Sequence, residues 1–216
     1  MHFQLPVYFD YLATLIWAVS GALLAARRGF AIMGILTVAM ISSTGGGLLR
    51  DGLFLQNGPP LLLRSPAYLE IILLGVLLVL LLGRWLDRLP RGAQLVATVD
   101  ALGLGAYASV GMCHALQAGL SLLGVVVVGM VNAVGGGILR DVLLRQPVAM
   151  FLPGTLEQAA ALAGCGLFLL LLKGLGLSEV AAAWVTIVFV FALRMLAIRY
   201  DIQSRPLAGF SPDQGA

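Results

Sequence analysis

Gly45-Gly46-Gly47-Leu48-Leu49-Arg50-Asp51 and Gly135-Gly136-Gly137-Ile138-Leu139-Arg140-Asp141 are two copies of one string, each closing a long apolar run. Glycine costs about 1 kcal/mol relative to alanine inside a helix, so three in succession are a weak point in any helix that carries them. The same weak point twice, each time just before an Arg-Asp pair, predicts a built-in break in two helices. The rest of the chain can be read outward from these strings.

What surrounds them is apolar. Of 216 residues, 60% are hydrophobic and 11% charged, and the mean hydropathy is +1.01. Soluble domains carry about 25% charged residues, so this chain is not built to face water. Tyr68 to Gly83 holds one charge and Val180 to Leu193 none, and about 20 mostly apolar residues cross a bilayer. The fold class expected is an all-α polytopic membrane protein. The alternating ten-residue strands of a transmembrane barrel are missing.

The net charge of +3 reads as arginine in cytoplasmic loops rather than a nucleic-acid surface, so no nucleic-acid partner is expected. Cys113 and Cys165 sit in apolar segments without a CxxC spacing or an acidic or histidine cluster nearby, and read as small core residues, not metal ligands. No Lys or Arg precedes the first apolar run and Asp10 interrupts it early, the opposite of a cleaved signal peptide.

Seven transmembrane helices are expected, over residues 5–26, 31–50, 67–84, 95–117, 120–140, 155–173 and 180–199. Arg27-Arg28-Gly29, Asn57-Gly58-Pro59-Pro60, Arg88 to Gly92, Pro147 with Pro153-Gly154, and Lys173 to Ser178 punctuate them. The tail 204–216, rich in Pro, Gly, Ser and Gln, is expected to be disordered. Seven spans put Arg27, Arg28, Arg84, Arg88, Arg91, Arg140, Arg145, Arg199 and Arg205 on one side, with Arg194 just inside it. Arg50, Arg64 and Lys173 fall on the other. By the positive-inside rule the N-terminus is outside and the C-terminus cytoplasmic, in a cell (inner) membrane.

The strings belong to a longer repeat. At an offset of 90, residues 10–53 match 100–143 at 16 of 44 positions without a gap. The identities include Asp10/Asp100, Gly21/Gly111, Gly29/Gly119 and Gly34/Gly124, while Trp17 faces Tyr107 and Ser42 faces Asn132. Each copy holds three spans, an odd number, so the second copy is inverted. The expected units are a first repeat over 5–94, an inverted repeat over 95–178 and a seventh helix over 179–203. Many transporters use this architecture to place a site at the midplane.

Inversion puts Asp10 at the depth of Arg50 and Asp100 at the depth of Arg140. An ionised group at the centre of a spanning helix costs about 2.5–3.5 kcal/mol, so such groups pair or line water. Neighbours i and i+1 point about 100° apart. The expected buried pairs are therefore Asp10–Arg50 and Asp100–Arg140, leaving Asp51 and Asp141 to face a pathway.

Small residues let membrane helices approach closely, which suits Gly21, Gly34, Gly111 and Gly124. For Gly45–Gly47 and Gly135–Gly137 the expectation is instead a kink whose freed carbonyls replace the hydration shell of a cation. Ser42, Ser43 and Thr44 before the first triplet and Asn132 before the second would add side-chain oxygens. Bonding of those hydroxyls back to the preceding turn is the plain alternative. Arg194 is expected to snorkel to headgroups, and Glu70 and Glu157 to favour helix N-termini. His114 reads as interfacial. Trp17, Trp85, Trp184 and Tyr200 suit interface or packing roles. No nucleophile–base pair, metal signature or nucleotide fingerprint is visible, so no enzyme and no cofactor are expected, only a bound permeant cation such as K+ or Na+.

The doubled Gly-Gly-Gly-x-Leu-Arg-Asp string in a seven-span chain with three-span repeats resembles the prokaryotic branch of the trimeric intracellular cation (TRIC) channel family, whose bacterial members carry the label UPF0126. The resemblance covers about residues 5–200. It implies a homotrimer in membrane lipid with a potassium-permeable pore in each subunit. Spans 1, 2, 4 and 5 would line that pore, with spans 2 and 5 kinked at Gly45–Gly47 and Gly135–Gly137. Some relatives are described as glycine transporters, so a carrier of glycine or a similar amino acid stays open as the alternative. An Arg beside a Gly-rich break could hold a carboxylate.

Overall fold

The computed structural model describes residues 6–56, 58–87, 92–151, 156–200 and 202. The loop arginines Arg88 and Arg91, Pro153-Gly154, Arg205 and the tail 204–216 lie outside the described residues. Eight α-helices are described: α1 (Tyr8–Arg27), α2 (Ile32–Leu49), the single turn α3 (Leu61–Arg64), α4 (Ala67–Asp87), α5 (Gly92–Gln117), α6 (Leu122–Leu143), α7 (Glu157–Leu169) and α8 (Glu179–Arg199). The chain is therefore all-helical, as its composition predicts. The short α3 has no counterpart among the expected spans. Two π-helical turns extend α2 over Arg50–Leu55 and α7 over Leu170–Gly174.

The repeat is visible in how the helices stop and start. Gly29 (φ +73°) and Gly119 (φ +74°) end α1 and α5 in the left-handed conformation that glycine adopts without a Cβ penalty. In both, the following amide bonds back to an alanine carbonyl: Phe30 to Ala25 at 3.2 Å and Leu120 to Ala115 at 3.1 Å. Ser121 then caps α6 through the Gly124 amide, and Ser178 caps α8 through Ala181.

Five of the described helical stretches are long and apolar enough to cross a membrane: Tyr8–Arg27, Ile32–Leu55, Leu122–Leu143, Glu157–Gly174 and Glu179–Arg199. Helix α4 contributes a shorter apolar stretch, Ala67–Gly83. Helix α5 falls outside for a physical reason. From Asp100 to Cys113 only Leu102 is exposed. A helix wrapped by its neighbours meets protein rather than lipid, so it can use Gly, Ala and Ser where a lipid-facing helix needs Leu and Val.

Helices α1 and α5 pack in the middle, α2 against α1 and α6 against α5, while α2 crosses α6. Helix α4 covers α1, and α8 packs against both α5 and α7. Two apolar cores result. Ala18, Ala22, Ile35, Val38, Ile72 and Val76 join α1, α2 and α4. Val110, Met112, Val125, Phe168, Ala183 and Val190 join α5, α6, α7 and α8. Outward-facing leucines such as Leu73, Leu77 and Leu81 on α4, with Val188 and Phe189 on α8, leave a large apolar exterior.

The expected breaks at the glycine triplets are corrected. Helix α2 runs as α-helix through Gly45–Gly47, and α6 through Gly135–Gly137. Irregular geometry begins after the first triplet, in the π turn at Arg50. The propensity lost at glycine is offset because these residues let two backbones touch.

Candidate functional site: two charge clusters about a glycine crossing

The contact between α2 and α6 is made of main chain. A Cβ on Gly46 would lie 2.1 Å from the Asn132 carbonyl oxygen, and one on Gly136 would lie 2.1 Å from that of Ser42. A Cβ on Gly45 would sit 3.2 Å from the Gly136 Cα, and one on Gly135 3.2 Å from the Gly46 Cα. Gly47 and Gly137 turn away, the first with only the Arg50 guanidinium 3.7 Å from a built Cβ, the second toward the Trp17 ring. Four of the six glycines thus serve close packing.

The polar residues before the triplets are already engaged, with one exception. Ser43 and Thr44 donate to the Met40 carbonyl at 3.1 and 2.7 Å, the back-bonding alternative. Asn132 donates to the Tyr107 carbonyl at 2.7 Å and accepts from Arg50 at 3.3 Å. The Tyr107 hydroxyl donates to the Ser43 carbonyl. The Ser42 hydroxyl is buried and finds no partner among the described residues.

Where α2 leaves the crossing, Arg50 is 2% exposed. Its Nε donates to Asp51 Oδ1 at 2.6 Å and its Nη2 to Asp51 Oδ2 at 3.1 Å. The expected Asp10–Arg50 pair is therefore corrected. Asp10 takes its hydrogen bond from the Tyr68 hydroxyl on α4. Asp10 and Arg50 do share one cavity of about 20 Å³, with Thr14, Tyr68 and Tyr107 in its walls. That is room for roughly one water molecule.

Where α6 leaves the crossing, Arg140 bonds Asp100 Oδ2 at 3.1 Å and Asp141 Oδ1 at 3.0 Å. Ser20 bridges, accepting from Arg140 at 3.0 Å and donating to Asp100 at 2.5 Å. The guanidinium also lies 5.5 Å from the centre of the Trp17 ring. Asp141 accepts further bonds from the Gln146 side chain at 2.7 Å and the Ala149 amide at 3.0 Å. Neither Asp51 nor Asp141 is free to face a pathway alone. Arginine explains this: its head sits on a stem of flexible bonds, so Cβ directions 100° apart do not keep it from the next carboxylate.

Arg194 is corrected as well. It is 3% exposed and bonds Glu157 at 2.7 Å instead of reaching for headgroups. Both line a cavity of about 10 Å³ with Asp100, Arg140 and Asp141. Sequence reading missed Tyr68, Ser20 and the Glu157–Arg194 pair. The matching of Trp17 with Tyr107 pointed at two inward aromatic positions. Nothing along the chain marks Tyr68 or Ser20 as cluster members.

These helix ends define two opposite ends of the bundle. The start of α1, the end of α2, the start of α4 and the end of α5 meet at Asp10, Arg50, Tyr68 and His114. The starts of α5 and α7 meet the ends of α6 and α8 at Asp100, Glu157, Arg140 and Arg194. Arg28, closing α1, joins this second end by donating to the Leu144 carbonyl at 2.5 Å and to the Gln146 side chain.

A family model described as glycine transporter matches residues 7–84 and 97–173, one stretch in each repeat. A UPF0126 membrane protein of Deinococcus radiodurans is 40% identical over 74% of this chain and 73% of its own length. The UPF0126 inner membrane protein YadS of Escherichia coli is 29% identical over 93% of this chain and 95% of its own. Among solved structures, a TRIC cation channel studied for its conductance is 26% identical with a TM-score of 0.81, covering 97% of this chain and all of that one. The TRIC trimeric intracellular cation channel orthologue from Rhodobacter sphaeroides is 27% identical, also at 0.81, over 90% of this chain and 97% of that one.

Proposed function

The chain belongs to the TRIC/UPF0126 family of membrane proteins, and on that premise we propose that it is a monovalent, potassium-permeable cation channel with a pore inside each subunit of a homotrimer. The observation that carries the reading is likeness over nearly the whole chain, at a TM-score of 0.81, to structures of TRIC cation channels. The spans are the seven long helices, as two inverted three-helix repeats over 5–94 and 95–178 plus a seventh helix over 179–203. The apolar exterior meets lipid or the neighbouring subunits. The N-terminus is outside and the C-terminal tail cytoplasmic, which makes the Asp10 end the outer one.

The route runs between α1, α2, α5 and α6, past Asp10, Arg50 and Asp51 at one end and Asp100, Arg140 and Asp141 at the other. Carboxylates with hydroxyl and carbonyl oxygens suit a partly dehydrated cation, while the guanidiniums hold those carboxylates in place. Between the ends, Gly45, Gly46, Gly135 and Gly136 close the path, because two touching backbones leave no room for an ion. Conduction in this reading requires α2 and α6 to part at the glycine crossing, which exposes Ser42, Ser43, Thr44 and Asn132 to the ion. Gly47, turned toward the Arg50 guanidinium, and Gly137, turned toward the Trp17 ring, bring no side chain of their own into that movement.

Purified protein in potassium-loaded liposomes tests the reading, with planar-bilayer recordings and labelled glycine uptake measured beside it. Unitary potassium currents are expected. Glycine uptake without unitary current would replace the channel by a carrier.

A further inference from the structure

Beside the Asp10 cluster, on the far side of Asp10 from Arg50's small cavity, lies a second, larger cavity of about 250 Å³. Asp10, Tyr11, Tyr68, Val110, Cys113 and His114 line it, together with the exposed Val7 and Gln117. Tyr11 and Tyr68 meet edge to face, their ring centres 5.3 Å apart at 80°. The geometry points to this cavity as a binding site for a small organic ammonium ion of the class of choline or tetramethylammonium.

Charge placement gives the first reason. At the opposite end of the bundle each carboxylate meets a guanidinium of its own chain: Asp100 and Asp141 with Arg140, Glu157 with Arg194. At this end Asp10 takes the Tyr68 hydroxyl, and the Arg50 guanidinium, in the same small cavity, commits its hydrogen bonds to Asp51 and Asn132. A buried carboxylate beside an open cavity favours a cation from outside.

The walls select which cation. A pocket lined by two tyrosine rings and aliphatic side chains suits a quaternary or alkyl ammonium, whose charge is spread and weakly hydrated. A hydrated alkali ion, whose charge is compact and strongly hydrated, gains little from such walls. Size narrows the class further, because drug-sized ligands occupy pockets of roughly 300–1,000 Å³ and this one falls just below that. The inner repeat has no equivalent, since the residues matching Tyr11 and Tyr68 at the offset of 90 are Ala101 and Gln158.

Equilibrium binding of radiolabelled choline to the full-length protein in detergent and KCl buffer tests this independently of conduction. Saturable binding is expected, displaced by tetramethylammonium and poorly by glycine, whose own carboxylate would face Asp10. Tyr11→Leu should weaken binding about three- to thirtyfold, the range of cation–π attractions, while Tyr11→Phe keeps the ring and most of the affinity. Asp10→Asn should weaken it about thirtyfold or more. Tyr11 lies half-buried near the start of α1, so its variants report on the site even where Asp10→Asn fails to fold. Absence of saturable binding, equal affinity in wild type and Tyr11→Leu, or displacement by glycine as effective as by tetramethylammonium would each overturn the proposal.

Discussion

One guanidinium, that of Arg140, organises the second charge cluster by holding Asp100, Asp141 and Ser20 together. Breaking a buried pair from one side strands a charge and typically costs 3–5 kcal/mol. Asp100→Asn should therefore lower the thermal stability of the detergent-purified protein strongly in the wild-type background. In an Arg140→Gln background the same change should cost far less, since Asp141 keeps its bonds from Gln146 and Ala149. Additive losses in that double-mutant cycle would mean the two side chains do not interact. A companion prediction concerns Arg194: Arg194→Gln should destabilise the protein by about 1–3 kcal/mol, because it takes the guanidinium away from the half-buried Glu157. A headgroup-snorkelling arginine would tolerate the change. The charged residues were legible from their mirrored depths, and so was the Asp100–Arg140 pair. The Arg50–Asp51, Arg140–Asp141 and Arg194–Glu157 pairs were not, because the reach of an arginine side chain exceeds what the direction of its Cβ specifies.

Between helices, the glycine crossing makes sharp and opposite demands on neighbouring positions. A methyl group on Gly46 or Gly136 would sit 2.1 Å from a backbone oxygen, which no rotamer change relieves. Gly46→Ala and Gly136→Ala should each cost about 1–3 kcal/mol as α2 and α6 are pushed apart. Gly47→Ala meets only the Arg50 side chain at 3.7 Å, and alanine returns about 1 kcal/mol of helix propensity. It should leave thermal stability unchanged or raised. Equal stability of all three variants in detergent would remove the crossing as the reason for the triplets. The limits of the long helices were readable to within a few residues, since apolar runs, Gly29, Gly119 and the prolines all punctuate the chain in the same places. The continuity of α2 and α6 was not. Intrinsic propensity argues for a break at three glycines, whereas the gain from bringing two backbones into contact depends on a partner 90 residues away.

Across the whole molecule the two repeats are similar without being equal, and the difference lies in α8. Helix α8 packs on α5 and delivers Arg194 to the Asp100 end, while in the first repeat α4 packs on α1. The added helix also concentrates arginine. Arg27, Arg28, Arg140, Arg145, Arg194 and Arg199 close helices at the Asp100 end, against Arg50, Arg64 and Lys173 toward the other. Arginine and lysine near span ends resist translocation, so the richer end should remain in the cytoplasm. The proposed arrangement then makes a definite statement about the tail, because α8 ends at that same face. A green fluorescent protein fused after Gly209 should fluoresce, and alkaline phosphatase fused at the same residue should be inactive. The reciprocal pair placed in the loop after Lys173, at the opposite face, should give the reverse. Phosphatase activity at Gly209 would place the arginine-rich end outside and invert every assignment of inner and outer made for the two charge clusters.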